Sequence, residues 1–448
     1  MTRKENFSLV LLVGILAFWW NHAFLSWVAL PKILQMNDIP AILAGYKIVP
    51  NLLLDSGRWW YGSWIQDGIH AYRPLASYLY WLESWLGLHY GFIWVGVTGV
   101  LLLTANALLS GVLAWRLTRW KPAVWLAAML GVSLRFFNWS SATPDYWLAW
   151  YPIHQELLMN ALLMGALVCF DLWQENAQRK YLLGAWACFV LGALTKEHVY
   201  IFPAFALAIA LLRRKHARVE LKWVLLQCAL MAAGVLALWF YRASVLVDPR
   251  NPELKRIHLI RKPWLYLAFP LYPFVLTYQF WFPGLALLIF SLAGVLIKWR
   301  QGKYKTWLQK PFVPMAVGLS GLAIIALYCQ LFYESAAEAF WYLFENAQGY
   351  IRLQQLWILT GLFYVFYLLW KYRRIEPTAA AFTLMALSYL PVITYLGWHY
   401  TVPAWFVRSA YWALIAKLIW LDAGPHLKCF VPLPKVTKIS GVAHEPST

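Results

Sequence analysis

Long apolar runs alternate with short basic segments from one end of this chain to the other. Runs close to or above the roughly 20 residues that cross a bilayer as a helix fall near 7–30, 91–115, 223–241, 281–297, 312–332, 353–370 and 378–397. Shorter or polar-interrupted runs fall near 122–137, 153–172, 181–195, 198–212 and 404–420. The pattern predicts an all-α polytopic membrane protein with about twelve transmembrane helices, because only a helix satisfies its own backbone in lipid. The first run is too long for a signal peptide and lacks a small-residue cleavage site, so it reads as the first span. The multi-span domain is expected over 1–421, with a tail over 422–448.

Composition sharpens this picture. Charged residues make up 13% of the 448 positions, against about a quarter in soluble domains. That excludes a soluble enzyme, a disordered chain and a nucleic-acid partner. Cys169, Cys188, Cys228, Cys329 and Cys429 stand singly, four of them inside apolar stretches, so neither a disulfide framework nor a metal site is expected. No cofactor is demanded either.

The net charge of +19 is largely an orientation signal. With a cytoplasmic N-terminus, twelve spans place 1–6, 116–121, 173–180, 213–222, 298–310, 371–377 and the tail from 421 on the inner side. These segments hold 23 of the 38 Lys and Arg. Both termini are then cytoplasmic. Two outer segments stand apart. Residues 31–90 form a long first loop in which Trp59, Trp60, Trp64, Tyr72, Tyr78, Tyr80, Trp81 and Trp85 recur, as amphipathic interfacial helices would require. Loop 242–262 carries six basic residues against two acids and breaks the positive-inside pattern.

Four outer clusters carry possible chemistry. Met36-Asn37-Asp38-Ile39-Pro40 follows the first span. Asp38 is either a helix cap or a general base within reach of a nucleophile. Tyr72-Arg73-Pro74-Leu75 places a guanidinium among aromatic rings. Arg73 either grips a phosphate bidentately or is an interfacial anchor, snorkelling or paired with Asp67. Tyr151-Pro152-Ile153-His154-Gln155-Glu156 enters a span, with Asn160 one turn on. His154 and Glu156 do not share a helix face, which argues against a two-ligand metal site and leaves buried contacts to other elements. Leu194-Thr195-Lys196-Glu197-His198 joins two short spans. Lys196 and Glu197 either end those helices or set a cation against an anionic ligand. Arg408 is a further outer cation near the last span. Phosphate loops, nucleophile elbows and dinucleotide fingerprints are absent from the sequence.

The order of these clusters resembles the GT-C glycosyltransferases, in particular the protein O-mannosyltransferase-like branch whose members often carry tetratricopeptide repeats. That branch shows an Asp-Asp pair in the first loop, then Tyr-Arg-Pro-Leu, His-Pro-x-His-x-Glu and Ser-Lys-Glu. The matching residues are Asn37-Asp38, Tyr72-Arg73-Pro74-Leu75, Tyr151-Pro152-Ile153-His154-Gln155-Glu156 and Thr195-Lys196-Glu197. The likeness covers about residues 30–205. Asn37 departs from the acid pair, Tyr151 from the first His, and the tail has no helical repeat.

The resemblance implies transfer of a sugar from a polyprenyl phosphate donor to a protein, lipid or glycan acceptor on the non-cytoplasmic face. Asp38 would deprotonate the acceptor for inverting attack at the anomeric carbon. Arg73, Lys196 and Arg408 would stabilise the leaving phosphate. Tyr72, His154, Glu156 and Glu197 would complete the substrate site. Two other readings use the same features: a flippase for a lipid-linked glycan, which needs no acid at 38, and a non-catalytic assembly subunit, favoured by Asn37. The absence of a lengthy luminal domain or retention signal favours a bacterial inner membrane over the endoplasmic reticulum.

Overall fold

The computed structural model describes residues 3–20, 39–62, 64–65, 71–132, 151–214, 217–245, 368, 371–372 and 402–427. Among them there are helices and turns and no strand. The helices, in chain order, are α1 (Arg3–Trp20), α2 (Ile39–Ile48), α3 (Leu52–Asp55), α4 (Arg58–Tyr61), α5 (Pro74–Tyr90), α6 (Ile93–Thr118) and α7 (Pro122–Val132). They continue with α8 (Tyr151–Asn176), α9 (Arg179–Thr195), a 3-10 turn (Glu197–Ile201), α10 (Phe202–Leu212), α11 (Leu221–Val245) and α12 (Val402–Leu427).

Three of these helices are long and apolar enough to cross a membrane, by length and composition: Ile93–Thr118, Ile153–Asn176 and Leu221–Val245. Several of the other expected spans appear as shorter apolar helices, within α1, α7, the α10 segment and α12. The expected spans near 281–297, 312–332 and 378–397 lie outside the described residues, as does all of 353–370 except 368. The described part is therefore an all-helical bundle with membrane-compatible helices.

Small residues let α6 and α7 approach closely. A Cβ on Gly111 would meet the Val124 carbonyl at 2.7 Å, and one on Gly131 would meet Ala107 Cα at 3.0 Å. Such seams replace the hydrophobic drive that lipid cannot provide. Helices α8 and α9 form a tight hairpin turned at Ala177, whose φ is 57°. Their faces interlock reciprocally: the Gly165 side meets Cys188 Sγ and the Gly184 side meets Cys169 Sγ, so a Cβ would lie 3.3 Å and 3.2 Å from those sulfurs. The two cysteines are packing residues.

Polar side chains join the helices across the middle. Asn106 of α6 donates to the Leu157 carbonyl of α8 at 2.7 Å. Asn160 of α8 donates back to Asn106 Oδ1 at 2.6 Å. Interhelical bonds of this kind contribute roughly 0.6–2 kcal/mol each in a bilayer. Helix α12 wedges against α6 and α7, with Ser110 Oγ donating to the Phe406 carbonyl at 2.8 Å.

The described residues of the first loop are largely helical, in α2, α3, α4 and α5. Asn51 caps α3 by accepting from the Leu53 and Leu54 amides at 3.1 and 3.3 Å. Pro74 occupies the first turn of α5, and Arg73 before it sits at φ −144°, ψ 62°, out of the helical region that a following proline disfavours. The aromatic residues of this loop divide: Trp59, Trp64, Tyr72 and Tyr80 are buried, whereas Trp60, Tyr61 and Tyr90 are exposed. Helices α2 and α5 pack together, with Trp81 Nε1 donating to the Val49 carbonyl at 2.7 Å.

Charged residues collect at two levels of the bundle. At one, Arg116 of α6 bonds Asp171 of α8 at 2.5 Å. Arg213, at the end of α10, holds the other oxygen of the same carboxylate. Arg116 also reaches Glu175, which accepts from Arg119 at 2.8 Å. The other level lies near Glu156, about 22 Å away along α8 at 1.5 Å per residue.

Candidate functional site

The second level is assembled from four segments. The residue before α5 supplies Arg73, α8 supplies His154 and Glu156, the α9–α10 connection supplies Lys196, Glu197 and His198, and the last turn of α11 supplies Arg242.

Arg73 donates to Glu197 Oε2 from Nη2 at 2.9 Å and from Nε at 3.3 Å. Arg242 Nη1 approaches the other carboxylate oxygen at 2.8 Å. One carboxylate therefore bridges two guanidinium groups. Burial alone would raise the Glu197 pKa, but Arg73 and Arg242 outweigh it and hold the carboxyl at about 2. Charge-assisted contacts to a carboxylate favour its ionised form in this way.

Arg73 also stacks over the Trp64 ring at 5.0 Å, a cation–π contact. Its backbone is held as well. Ser77 Oγ donates to the Arg73 carbonyl at 3.1 Å and accepts from the Ile65 amide at 3.0 Å. The neighbouring Tyr72 ring meets Tyr241 edge-on at 5.5 Å. Burial, with a smaller contribution from Tyr241, pushes the Tyr72 hydroxyl up to about 12, so it remains a neutral phenol. Tyr241 donates to the Trp60 carbonyl at 2.7 Å, and Trp60 Nε1 donates to the Tyr78 hydroxyl at 3.2 Å. Trp64 thus lies against the guanidinium, and Tyr241, Trp60 and Tyr78 form a linked aromatic wall from the neighbouring Tyr72.

Lys196 and Glu197 are neighbours that face different partners. Lys196 is extended at φ −162°, ψ 151° between α9 and the 3-10 turn. This conformation turns its side chain to Glu156 of α8, with which it forms a buried ion pair, while Glu197 faces the arginines. His198 Nδ1 lies 3.7 Å from the second Glu156 oxygen. His154, two residues earlier on α8 and so on another face, is bonded through Nδ1 to Glu83 of α5 at 2.5 Å, and both side chains are wholly buried.

The structure therefore brings together Arg73, Tyr72, Lys196, Glu197, His154 and Glu156, six of the residues singled out by motif. Asp38 lies outside the described residues, and so does the side chain of Arg408. Asp67, a possible partner for Arg73, is outside them too; the described partner is Glu197. Loop 242–262 is described only to residue 245, and Arg242 belongs to α11.

Three participants escaped the sequence reading. Glu83 had a usable signal, being the lone acid in an apolar and aromatic helix. Arg242 was visible only as one charge of a basic loop. His198 adjoined the Lys-Glu motif without a predicted role. Outside the Glu83–His154 pair, Arg73, Arg242 and Lys196 oppose Glu197 and Glu156. These three cations and two carboxylates leave a balance of one positive charge, each cation being paired with a carboxylate. Compared with known proteins, the chain matches no family model, no curated protein and no solved structure.

Proposed function

We propose that the chain is a membrane glycosyltransferase of the GT-C kind, moving a sugar from a polyprenyl phosphate donor to an acceptor on the non-cytoplasmic face. The carrying observation is the convergence of Arg73, Arg242 and Lys196 beside Trp64, Tyr72 and Tyr241. Cations neutralise the phosphate charge that grows as the glycosidic C–O bond breaks, and aromatic walls suit both a sugar ring and an isoprenoid chain. In this reading the acceptor oxygen bonds the anomeric carbon from the opposite face. The phosphate departs with the bonding electron pair, and Asp38 takes the acceptor proton. The ordered motifs shared with the GT-C resemblance support the same assignment. Glu197 positions Arg73 in the unloaded site, and Glu83 orients His154.

A flippase for a lipid-linked glycan is the second reading, favoured by the charged groups at both levels of the bundle, near Glu156 and near Asp171. One experiment separates the two. Purified protein in liposomes, given a labelled polyprenyl phosphate sugar, is expected to release polyprenyl phosphate. Transbilayer movement of intact donor without cleavage would overturn the transferase reading.

A further inference from the structure

At the Asp171 level a cavity of about 370 Å³ opens between the ends of α8, α10 and α11. Arg214, Arg218 and Lys222 line it against one carboxylate, Glu220. Lys222 lies 2.7 Å from that carboxylate. Its wall also contains Gln174, which is only 2% exposed, and neither the carboxamide oxygen nor the nitrogen has a hydrogen-bond partner among the described residues. A buried amide with both functions unsatisfied costs free energy. The backbone there is fully engaged, since the Gln174 carbonyl accepts from the Arg218 and Val219 amides at 2.8 and 3.3 Å. The first turn of the 25-residue α11 also borders the cavity through Leu221 and Lys222, adding the positive end of a helix dipole.

We propose that this cavity binds the phosphate group of an anionic ligand, with Arg214 and Arg218 contacting its oxygens and the Gln174 amide donating to it. Two sources share that chemistry: an anionic lipid headgroup and free phosphate. The lipid source draws on α11, where Trp223, Leu225 and Leu226 next to the cavity are exposed. The site is separate from the Arg73 cluster, so its failure leaves donor cleavage unaffected.

The test follows the thermal-unfolding midpoint of the purified full chain in neutral detergent. The probes are dioctanoyl phosphatidylglycerol, dioctanoyl phosphatidylcholine and inorganic phosphate, and the midpoint shifts give apparent affinities. Phosphatidylglycerol is expected to bind at least roughly tenfold more tightly than phosphatidylcholine, through charge-assisted contacts. The exposed double variant Arg214→Gln/Arg218→Gln should lose that preference, and Gln174→Met should weaken binding with less effect. A response to inorganic phosphate identifies a soluble ligand; a response to phosphatidylglycerol alone identifies the headgroup. No response to either anion, or unchanged affinity in either variant, overturns the proposal.

Discussion

The two charged levels of the bundle contain the same charges in different settings. Near Asp171, three arginines meet two carboxylates; near Glu156, two arginines and a lysine meet two carboxylates. Arg116, Asp171 and Glu175 stand on the long helices α6 and α8, with Arg119 and Arg213 at helix ends. They bind α6, α8 and α10 together. At the Arg73 level the cations come from a residue before a proline, a connection between helices and the last turn of α11. Arg73 is stacked on Trp64 there and steadied through Ser77. Equal charge counts thus serve different ends. The first cluster fixes helices, and the second, in the proposed reading, supplies cations beside rings. Loss of Asp171 should therefore cost mainly stability, and loss of the Arg73 fork mainly activity.

The largest effect is expected at Asp171. Asp171→Asn leaves Arg116 and Arg213 buried without their shared carboxylate, and breaking a buried pair costs about 3–5 kcal/mol. Thermal unfolding in detergent should show a large fall in the midpoint; a midpoint near the parent's would remove the contrast between the levels. Arg73→Lys should reverse the pattern. The ammonium keeps the charge but loses the fork, and kcat/KM for donor cleavage should fall roughly tenfold, about 1.4 kcal/mol of transition-state stabilisation. Its midpoint should stay close to the parent's. Unchanged kinetics would make Arg73 a structural anchor.

A third prediction uses pH. The Glu197 carboxyl is held at about 2 against an ordinary value of 4.5. Its ionised form therefore stabilises the fold fully above 4.5, and that stability is lost as pH falls towards about 2. The midpoint difference between parent and Glu197→Gln should be constant from neutral pH to about 5 and shrink below it. A difference that persists unchanged down to pH 3 would contradict the two-arginine bridge. The smallest effect is expected for Tyr241→Phe, which removes the bond to the Trp60 carbonyl and should cost about 1 kcal/mol or less. A loss of several times that would mean that the aromatic wall holds the bundle together.

The helices themselves were readable from the apolar runs: α6, α8, α9 and α11 lie within a few residues of their expected limits. A stretch too apolar for water and too long for a turn has few alternatives. The pairings were not readable. Arg73 and Glu197 are 124 residues apart, and His154 and Glu83 are 71 apart, and no periodicity links such positions. Glu83 was obscured because the expected interfacial helices of 31–90 were read for their aromatic residues, and no pattern ties this one acid to a histidine 71 residues on. Arg242 was obscured because it was counted with the basic loop 242–262, whereas the helix begun by the apolar run continues through it to Val245. The motif residues were recognised singly, but their division into a Lys196–Glu156 pair and an Arg73–Glu197–Arg242 bridge depends on the extended backbone at Lys196, which composition does not encode.

In the proposed reaction the acceptor attacks at the Arg73 level, with Asp38 as base. The most direct measurement compares the initial rate of polyprenyl phosphate release by purified parent and Asp38→Asn proteins of matched unfolding midpoint. The expected result is turnover by the parent and none above background for Asp38→Asn. Equal rates from the two proteins would contradict it.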